Sequence, residues 1–356
     1  MTTIPFPSES SSYPVVVGDV RLGGILFFLE EKEFSRVFII SDSNVWKYHA
    51  KLFEGLGEVK IIPAGEENKN LQTWQECLEW LLEKGADRKS IVLGIGGGVI
   101  SDLTGFVSAC YMRGIRYATV ATTLLAQVDA ALGGKTGVDL TGGKNLVGCF
   151  HHPIAVWCDA RLLETLPDEE YRNGMAECIK YAFILMPSLI DVLLDASGVL
   201  RTRANDALDS LITKCVSLKA SVVAEDPRET TGLRAILNFG HTVGHAIETC
   251  LNYVGIKHGE AIMIGMVAEA EIGSRIGLTP PLARVKLEEL ADVWKLPTRM
   301  KKSIHVEAAL QIMLRDKKSE RNSLNMSLLT DVGRCELIKD VSTEVAKDVL
   351  EELREE

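Results

Sequence analysis

No run of about 18 apolar residues occurs in this chain, and its longest apolar stretches are short and broken by glycine, so no transmembrane helix is expected. The opening segment, MTTIPFPSESSSYP, lacks a basic region followed by an apolar core, and does not read as a signal peptide. The eight cysteines (77, 110, 149, 158, 178, 215, 250 and 335) are scattered, with no C-x-x-C pair. That argues against a disulfide framework and for reduced thiols in a cytoplasmic protein. Cationic residues are outnumbered: 39 Lys and Arg against 49 Asp and Glu leave a net charge of −10. Phosphate backbones and anionic membranes attract basic surfaces, so neither nucleic acid nor membrane is an expected partner. A small anionic substrate stays open, because a local cationic pocket can sit inside an acidic protein. Internal repeats and low-complexity tracts are also missing.

What is present is an ordinary globular composition, 46% hydrophobic and 25% charged over 356 residues. At roughly 150 residues per domain the length suits two domains or one large one. The first 160 residues alternate strand-like and helix-like segments. Strand-like runs lie at 36–40, 59–62, 91–95 and 118–121, and 70–84 has helical periodicity through Leu71, Trp74, Leu78, Leu81 and Leu82. Such alternation implies βαβ units and a mostly parallel sheet. Beyond 160 the pattern becomes a succession of helices, expected at 168–184, 206–224, 235–251, 259–276 and 282–290. The expected organisation is an α/β domain over 1–160 and an all-helical domain over 161–356, with a ligand cleft between them.

Gly94-Ile95-Gly96-Gly97-Gly98-Val99-Ile100-Ser101-Asp102 follows a strand and opens a helix. Glycines there let backbone approach a ligand, and a helix N-terminus offers free N–H groups to phosphate. The spacing is not G-x-G-x-x-G, since Val99 takes the last glycine position, and a plain tight turn is the alternative. Thr122 and Thr123, after the next strand, add hydroxyls at the same sheet edge. Asp42, after the 36–40 run, suits either a ribose hydroxyl or a helix N-cap. The 133–145 segment reads as a hairpin with Lys135 and Lys144 beside glycines, either a phosphate-binding device or a solvated turn.

Three of the seven histidines, His241, His245 and His258, fall in one short window. On a helix His241 and His245 are one turn apart, which is metal-ligand spacing, although Thr242 stands where H-E-x-x-H would need glutamate. His258 begins the next helix and can return to the same place. Glu177 lies in an otherwise apolar helical stretch, where an ionised carboxylate is costly unless paired or metal-bound. A Glu/His/His set with an open position describes a catalytic zinc site; core or capping histidines are the plainer alternative. Lys219 and Arg234 bracket a polar turn, and Arg113 ends the helix after the glycine turn. Each is either a solvated charge or part of an anion pocket.

Together these segments resemble 3-dehydroquinate synthase. The likeness is carried by 96–106, 111–114, 122–129, 133–137, Lys144-Asn145, Glu177 with Lys180, Arg234 and the 238–248 segment, in that order, and covers most of the chain. It implies a Rossmann-like N-terminal domain, a helical C-terminal domain, bound NAD, zinc (or cobalt) and a homodimer. Zinc would be held by Glu177, His241 and His258. NAD would contact Asp42, Glu66, Lys69, Gly97, Gly98, Val99, Ile100, Ser101, Asp102, Thr122, Thr123, Lys135, Lys144, Leu162, Leu163, Glu164 and Thr165. The substrate phosphate would meet Lys135, Asn145, Asn238, His245 and Lys317 (or its neighbour Lys318), with Arg113 reaching in from the partner subunit. Lys219 and Arg234 would hold a carboxylate, and Asp129 and Lys180 would lie near the reacting hydroxyls. The implied reaction converts 3-deoxy-D-arabino-heptulosonate 7-phosphate to 3-dehydroquinate and phosphate. It runs through transient oxidation by NAD, phosphate elimination, re-reduction and intramolecular aldol closure. The chain departs from the family pattern at Ser101 (commonly glycine), Ala121 (commonly proline), Ala130-Ala131 (frequently serine) and a 226–234 loop one residue longer.

Overall fold

Among the described residues, nine strands lie in the first 158 positions: β1 (Thr2–Pro7), β2 (Ser12–Val17), β3 (Val37–Asp42), β4 (Glu58–Ile62), β5 (Ile91–Gly96), β6 (Arg116–Ala121), β7 (Lys135–Leu140), β8 (Gly143–Phe150) and β9 (Val156–Cys158). Seven form one sheet in the order β1-β2-β9-β6-β5-β3-β4, parallel throughout except for β1 against β2. β7 and β8 make a separate antiparallel hairpin, as the 133–145 pattern predicts. This computed structural model describes residues 1–8, 11–19, 22–195, 197–229, 231–316 and 323–355.

β3 and β5 read as near-continuous apolar runs because both faces of a central parallel strand are covered. Phe38, Ile40 and Val92 enter one core with Leu81 of α3 (Leu71–Glu83, after α1 Leu22–Glu31 and α2 Ser43–Phe53) and Leu103 of α4 (Gly98–Cys110). Ile39, Leu93 and Ile95 enter the opposite core with Ile25 of α1 and Phe53 of α2. From β3 the chain moves to β4 on one side, then crosses back to β5 on the other. The carboxyl ends of β3 and β5 therefore flank a topological switch point, where open α/β sheets bind ligands.

The chain continues with α5 (Asp168–Ile184), α6 (Ser188–Asp195), α7 (Ser197–Arg201), α8 (Asn205–Glu225), α9 (His241–Cys250), α10 (His258–Arg275), α11 (Pro281–Trp294) and α12 (Val306–Asp316). An antiparallel hairpin, β10 (Ser323–Asp331) and β11 (Arg334–Ser342), precedes α13 (Thr343–Glu352). Two compact units result: Met1–Pro167 with Asn205–Ala224, and Asp168–Ala204 with Glu225–Glu356.

Four features differ from the sequence expectations. Instead of one break after 160, the first unit runs to Pro167 and takes back nearly all of α8. The second unit is helical but also carries β10–β11, whose alternating Leu324, Met326 and Leu328 are buried. β1–β2 went unread because Pro5, Pro7 and Pro14 look like strand breakers; Pro5 faces Pro14, so neither missing N–H interrupts the ladder. The expected 235–251 helix is split. A 3-10 turn, Leu233–Asn238, ends before Gly240, whose φ of +82° starts α9 afresh. Among the described residues no helix is long and apolar enough to cross a membrane.

Candidate active site

α5 and α10 are buried almost all round, so their polar residues must find partners inside the second unit. Glu177 on α5 is fully buried. Nε2 of His241 lies 3.6 Å, and Nε2 of His258 3.7 Å, from the same oxygen, Oε1 of Glu177. Lys180, one turn further along α5 and also buried, pairs its ammonium with Oε2. One donor atom from each of Glu177, His241 and His258 falls within 4.8 Å of the others, a spacing that suits one metal ion. Burial, aided by Lys180, holds the His241 imidazole well below its ordinary pKa, in the neutral form a metal requires. Burial also disfavours charge on His258, yet hydrogen bonds to Glu177 and Glu248 push it up to about 10. A metal there would displace a proton. The His245 ring stands 5.2 Å from that of His241 and 6.0 Å from that of His258.

Backbone contacts fix these side chains. His241 is the first residue of α9, and buried Glu269 on α10 accepts from the N–H groups of Gly240 (2.7 Å) and Val243 (3.2 Å). A Cβ on Gly265 would lie 1.9 Å from the Gly240 carbonyl oxygen, so α9 and α10 meet backbone to backbone. His258 opens α10, where Asn173 of α5 accepts from the Gly259 N–H. A Cβ on Gly259 would come within 2.2 Å of the Asn173 carbonyl oxygen. In the preceding loop, buried Asp226 accepts from the Arg234 N–H at 3.3 Å, and the Arg234 guanidinium donates to the Pro227 carbonyl at 3.1 Å. Asn238 donates to Glu229 at 3.4 Å.

In the first unit, Asp42 and the glycine turn stand at the switch point. Asp42 is an N-cap, its Oδ1 accepting from the N–H groups of Asn44 (2.9 Å) and Val45 (3.0 Å). Gly97 caps α4 without a side-chain bond, leaving Gly98, Val99 and Ile100 in its first turn. A Cβ on Gly97 would be 2.8 Å from the Thr123 methyl, and one on Gly98 3.3 Å from Ala130 Cβ. Ser101 bonds back to the Gly97 carbonyl at 3.1 Å. The buried Thr122 hydroxyl has no hydrogen-bond partner among the described residues. A bare helix start, a glycine cradle and an orphaned hydroxyl fit a dinucleotide pyrophosphate. Leu162 and Leu163 end a 3-10 turn and are buried, Glu164 follows, and Thr165 bonds His49 at 2.8 Å.

Lys69 is buried among Glu66 (2.9 Å), Asp102 (3.3 Å), Asp139 (3.8 Å) and the Asn145 side-chain oxygen (2.8 Å). Burial opposes its charge, but the three carboxylates hold its pKa above the usual lysine value. Burial raises Asp102 to about 6 against the pull of Lys69. Lys144 reaches Glu66 at 3.7 Å. Asp139 accepts from the Asn145 N–H at 2.7 Å, which holds Asn145 at a φ of +56°. Lys135 opens β7 and is exposed. Lys219 on α8 donates to both the carbonyl and the carboxylate of Asp129 at 2.8 Å. Asp129 itself lies in a π turn, Ala126–Ala130. Arg113 is exposed, in a turn after α4 with a φ of +66°. Lys317 and Lys318 lie outside the described residues.

Profiles of two domains match: 3-dehydroquinate synthase N-terminal over residues 59–173 and 3-dehydroquinate synthase C-terminal over 174–319. The 3-dehydroquinate synthase of Rippkaea orientalis (strain PCC 8801 / RF-1) is 36% identical over 357 residues, covering 98% of this chain and 97% of that one. That of Thermodesulfovibrio yellowstonii (strain ATCC 51303 / DSM 11347 / YP87) is 42% identical over 325 residues, covering 89% and 90%. The chain belongs to the 3-dehydroquinate synthase family. Among solved structures, a 2-deoxy-scyllo-inosose synthase complexed with carbaglucose-6-phosphate, NAD+ and Co2+ superimposes with a TM-score of 0.86 at 30% identity, covering 99% of this chain and 100% of the other.

Five residues bonded to the expected site residues or their backbone had no role in the sequence pattern: Glu248, Glu269, Asn173, Asp226 and Asp139. Each meets its partner through a backbone group or through a side chain that only the fold brings near. The usable signal was slight: Glu269, like Glu177, follows an apolar stretch of its helix, but Glu271 two residues later makes it look like an ordinary surface charge.

Proposed function

We propose that this chain is a 3-dehydroquinate synthase, a phosphate-eliminating lyase acting on 3-deoxy-D-arabino-heptulosonate 7-phosphate. The observation that carries the reading is the convergence of Glu177, His241 and His258 in a chain 36% identical, over nearly its full length, to a synthase of that name. Glu177, His241 and His258 hold the metal, zinc or cobalt. Asp42, Glu66, Lys69, Lys144, Thr165 and the 97–102 turn with Thr122 and Thr123 hold NAD. Bound NAD supplies reversible oxidation of a ring hydroxyl, and the metal supplies Lewis acidity at that oxygen.

The chain's own residues position the substrate and neutralise its charge. Lys135, Asn145, Asn238, His245 and Lys317 meet the phosphate, with Arg113 contributed by the second subunit of a homodimer. Lys219 and Arg234 meet the carboxylate. Asp129 and Lys180 orient the reacting hydroxyls and take up or return their protons. As an elimination and ring closure on soluble metabolites, the reaction suits a cytoplasmic enzyme.

A sister cyclase acting on a different sugar phosphate is the alternative; Arg234, Asn238 and His245 favour the heptulosonate. Incubation with the heptulosonate phosphate, catalytic NAD and zinc is expected to release phosphate and form 3-dehydroquinate without net NADH. Stoichiometric NADH, or no phosphate, would overturn the proposal.

A further inference from the structure

The carboxylate of Glu248 is buried on α9, seven residues after His241 and therefore two turns along the same face. Its Oε2 lies 3.3 Å from Nδ1 of His258. The other nitrogen of that ring, Nε2, is the one facing Glu177. The Glu248 backbone is also tied: its carbonyl accepts from the Tyr253 N–H at 2.8 Å, at the start of the connection that leads to His258. One helix thus supplies the ligand His241 and an acceptor for the second histidine.

We propose that Glu248 is a positioning residue for His258. It accepts the Nδ1–H and so leaves the Nε2 lone pair directed to the metal. This rests on the reading of Glu177, His241 and His258 as the metal site. Glu248 could instead ligate directly, since His245, Glu248 and His258 also bring donor atoms within 4.8 Å of one another. Two observations favour positioning. Both Nε2 atoms converge on one oxygen of Glu177, and the Glu248 oxygen lies at hydrogen-bond distance from a different nitrogen of the same ring. A carboxylate behind a ligating histidine fixes its tautomer and ring orientation, and loss of such a partner typically weakens metal binding by about 10–100-fold.

The test is Co2+ affinity, measured by competition with a chromophoric chelator on wild type, Glu248→Gln and Glu248→Ala. The Co2+ absorption spectrum and the thermal melt of each metal-free protein are recorded alongside. Expected results are an affinity loss of about 10–100-fold for Glu248→Ala and a smaller loss for Glu248→Gln, whose side-chain oxygen still accepts. The spectrum should keep the intensity of the same coordination number, and turnover should largely return at saturating Co2+. Affinity within twofold of wild type in both folded variants would overturn the proposal. So would equal losses in both with a changed coordination number, which would make Glu248 a ligand. If wild type binds Co2+ and the variants behave as expected but no dehydroquinate forms, the functional reading fails while Glu248 keeps its role. If wild type binds no Co2+, both fall.

Discussion

Glu177 was legible as a site residue because its immediate neighbours Ala176, Cys178 and Ile179 are apolar, and an ion in such a run needs a partner; the fold supplies Lys180, three residues on, for one of its oxygens. Glu248 and Asp226 were not legible in this way. Each follows residues ordinary for a helix, and each acts on a group reached only through the fold, His258 and Arg234. His258→Ala is expected to lower turnover by more than about 100-fold, beyond the usual range for an outer-shell change, with the melting temperature of the metal-free protein little altered. Glu177→Gln should lose turnover equally but also lose about 3 kcal/mol of stability, because it removes one charge of a buried ion pair. Urea unfolding of the two variants separates these outcomes.

Asp102 supplies a pH dependence of known sign. Its folded pKa of about 6 lies above the ordinary aspartate value near 4, so the folded state binds that proton more tightly. The resulting stabilisation is complete below about pH 4 and lost as pH rises through 6. In the cofactor-free protein, Asp102→Asn should therefore gain about 2–3 kcal/mol relative to wild type between pH 4 and pH 8. A flat difference in urea midpoints across that range would contradict this.

At the scale of elements, long periodic segments were readable. The helix expected at 168–184 is α5, and those at 206–224 and 259–276 differ from α8 and α10 by one residue at each end. Periodicity carried no information about the interruption at Gly240, because a left-handed residue leaves the apolar spacing on either side intact. Nor did it reveal how closely helices approach. The contact between α5 and α10 depends on the missing side chain of Gly259. Gly259→Ala should push the two helices apart at the site. A loss of about 1–3 kcal/mol is expected, together with weaker Co2+ binding, read by thermal melting and chelator competition. Unchanged metal affinity in the folded variant would mean that the approach of α5 and α10 does not set the site.

At the scale of the whole molecule, the parallel sheet and the helical second half followed from texture alone, but the path of the chain did not. The return of α8 to the first unit brings Lys219 to Asp129 across 90 residues, a pairing no local pattern encodes. The proposed homodimer, with Arg113 serving the neighbouring subunit, has a direct assay. Arg113→Ala and His258→Ala are each expected to be inactive alone. Mixed in equal amounts under conditions of subunit exchange, they should recover about a quarter of wild-type turnover, since half the dimers are mixed and each carries one intact site. No recovery would place Arg113 in the site of its own subunit.

The meeting of α9 and α10 through Gly240 and Gly265 has a further consequence. With main chain against main chain at Gly265, a shift of one helix along the other would drive backbone into backbone, so the separation of His241 and His258 follows from the packing of α9 on α10. On the proposed assignment of Glu177, His241 and His258 as ligands, that spacing would precede the metal, unlike a zinc finger, which assembles around its ion. Discrimination among ions then falls to radius and ligand softness, and two imidazoles with one carboxylate suit zinc or cobalt better than magnesium or calcium.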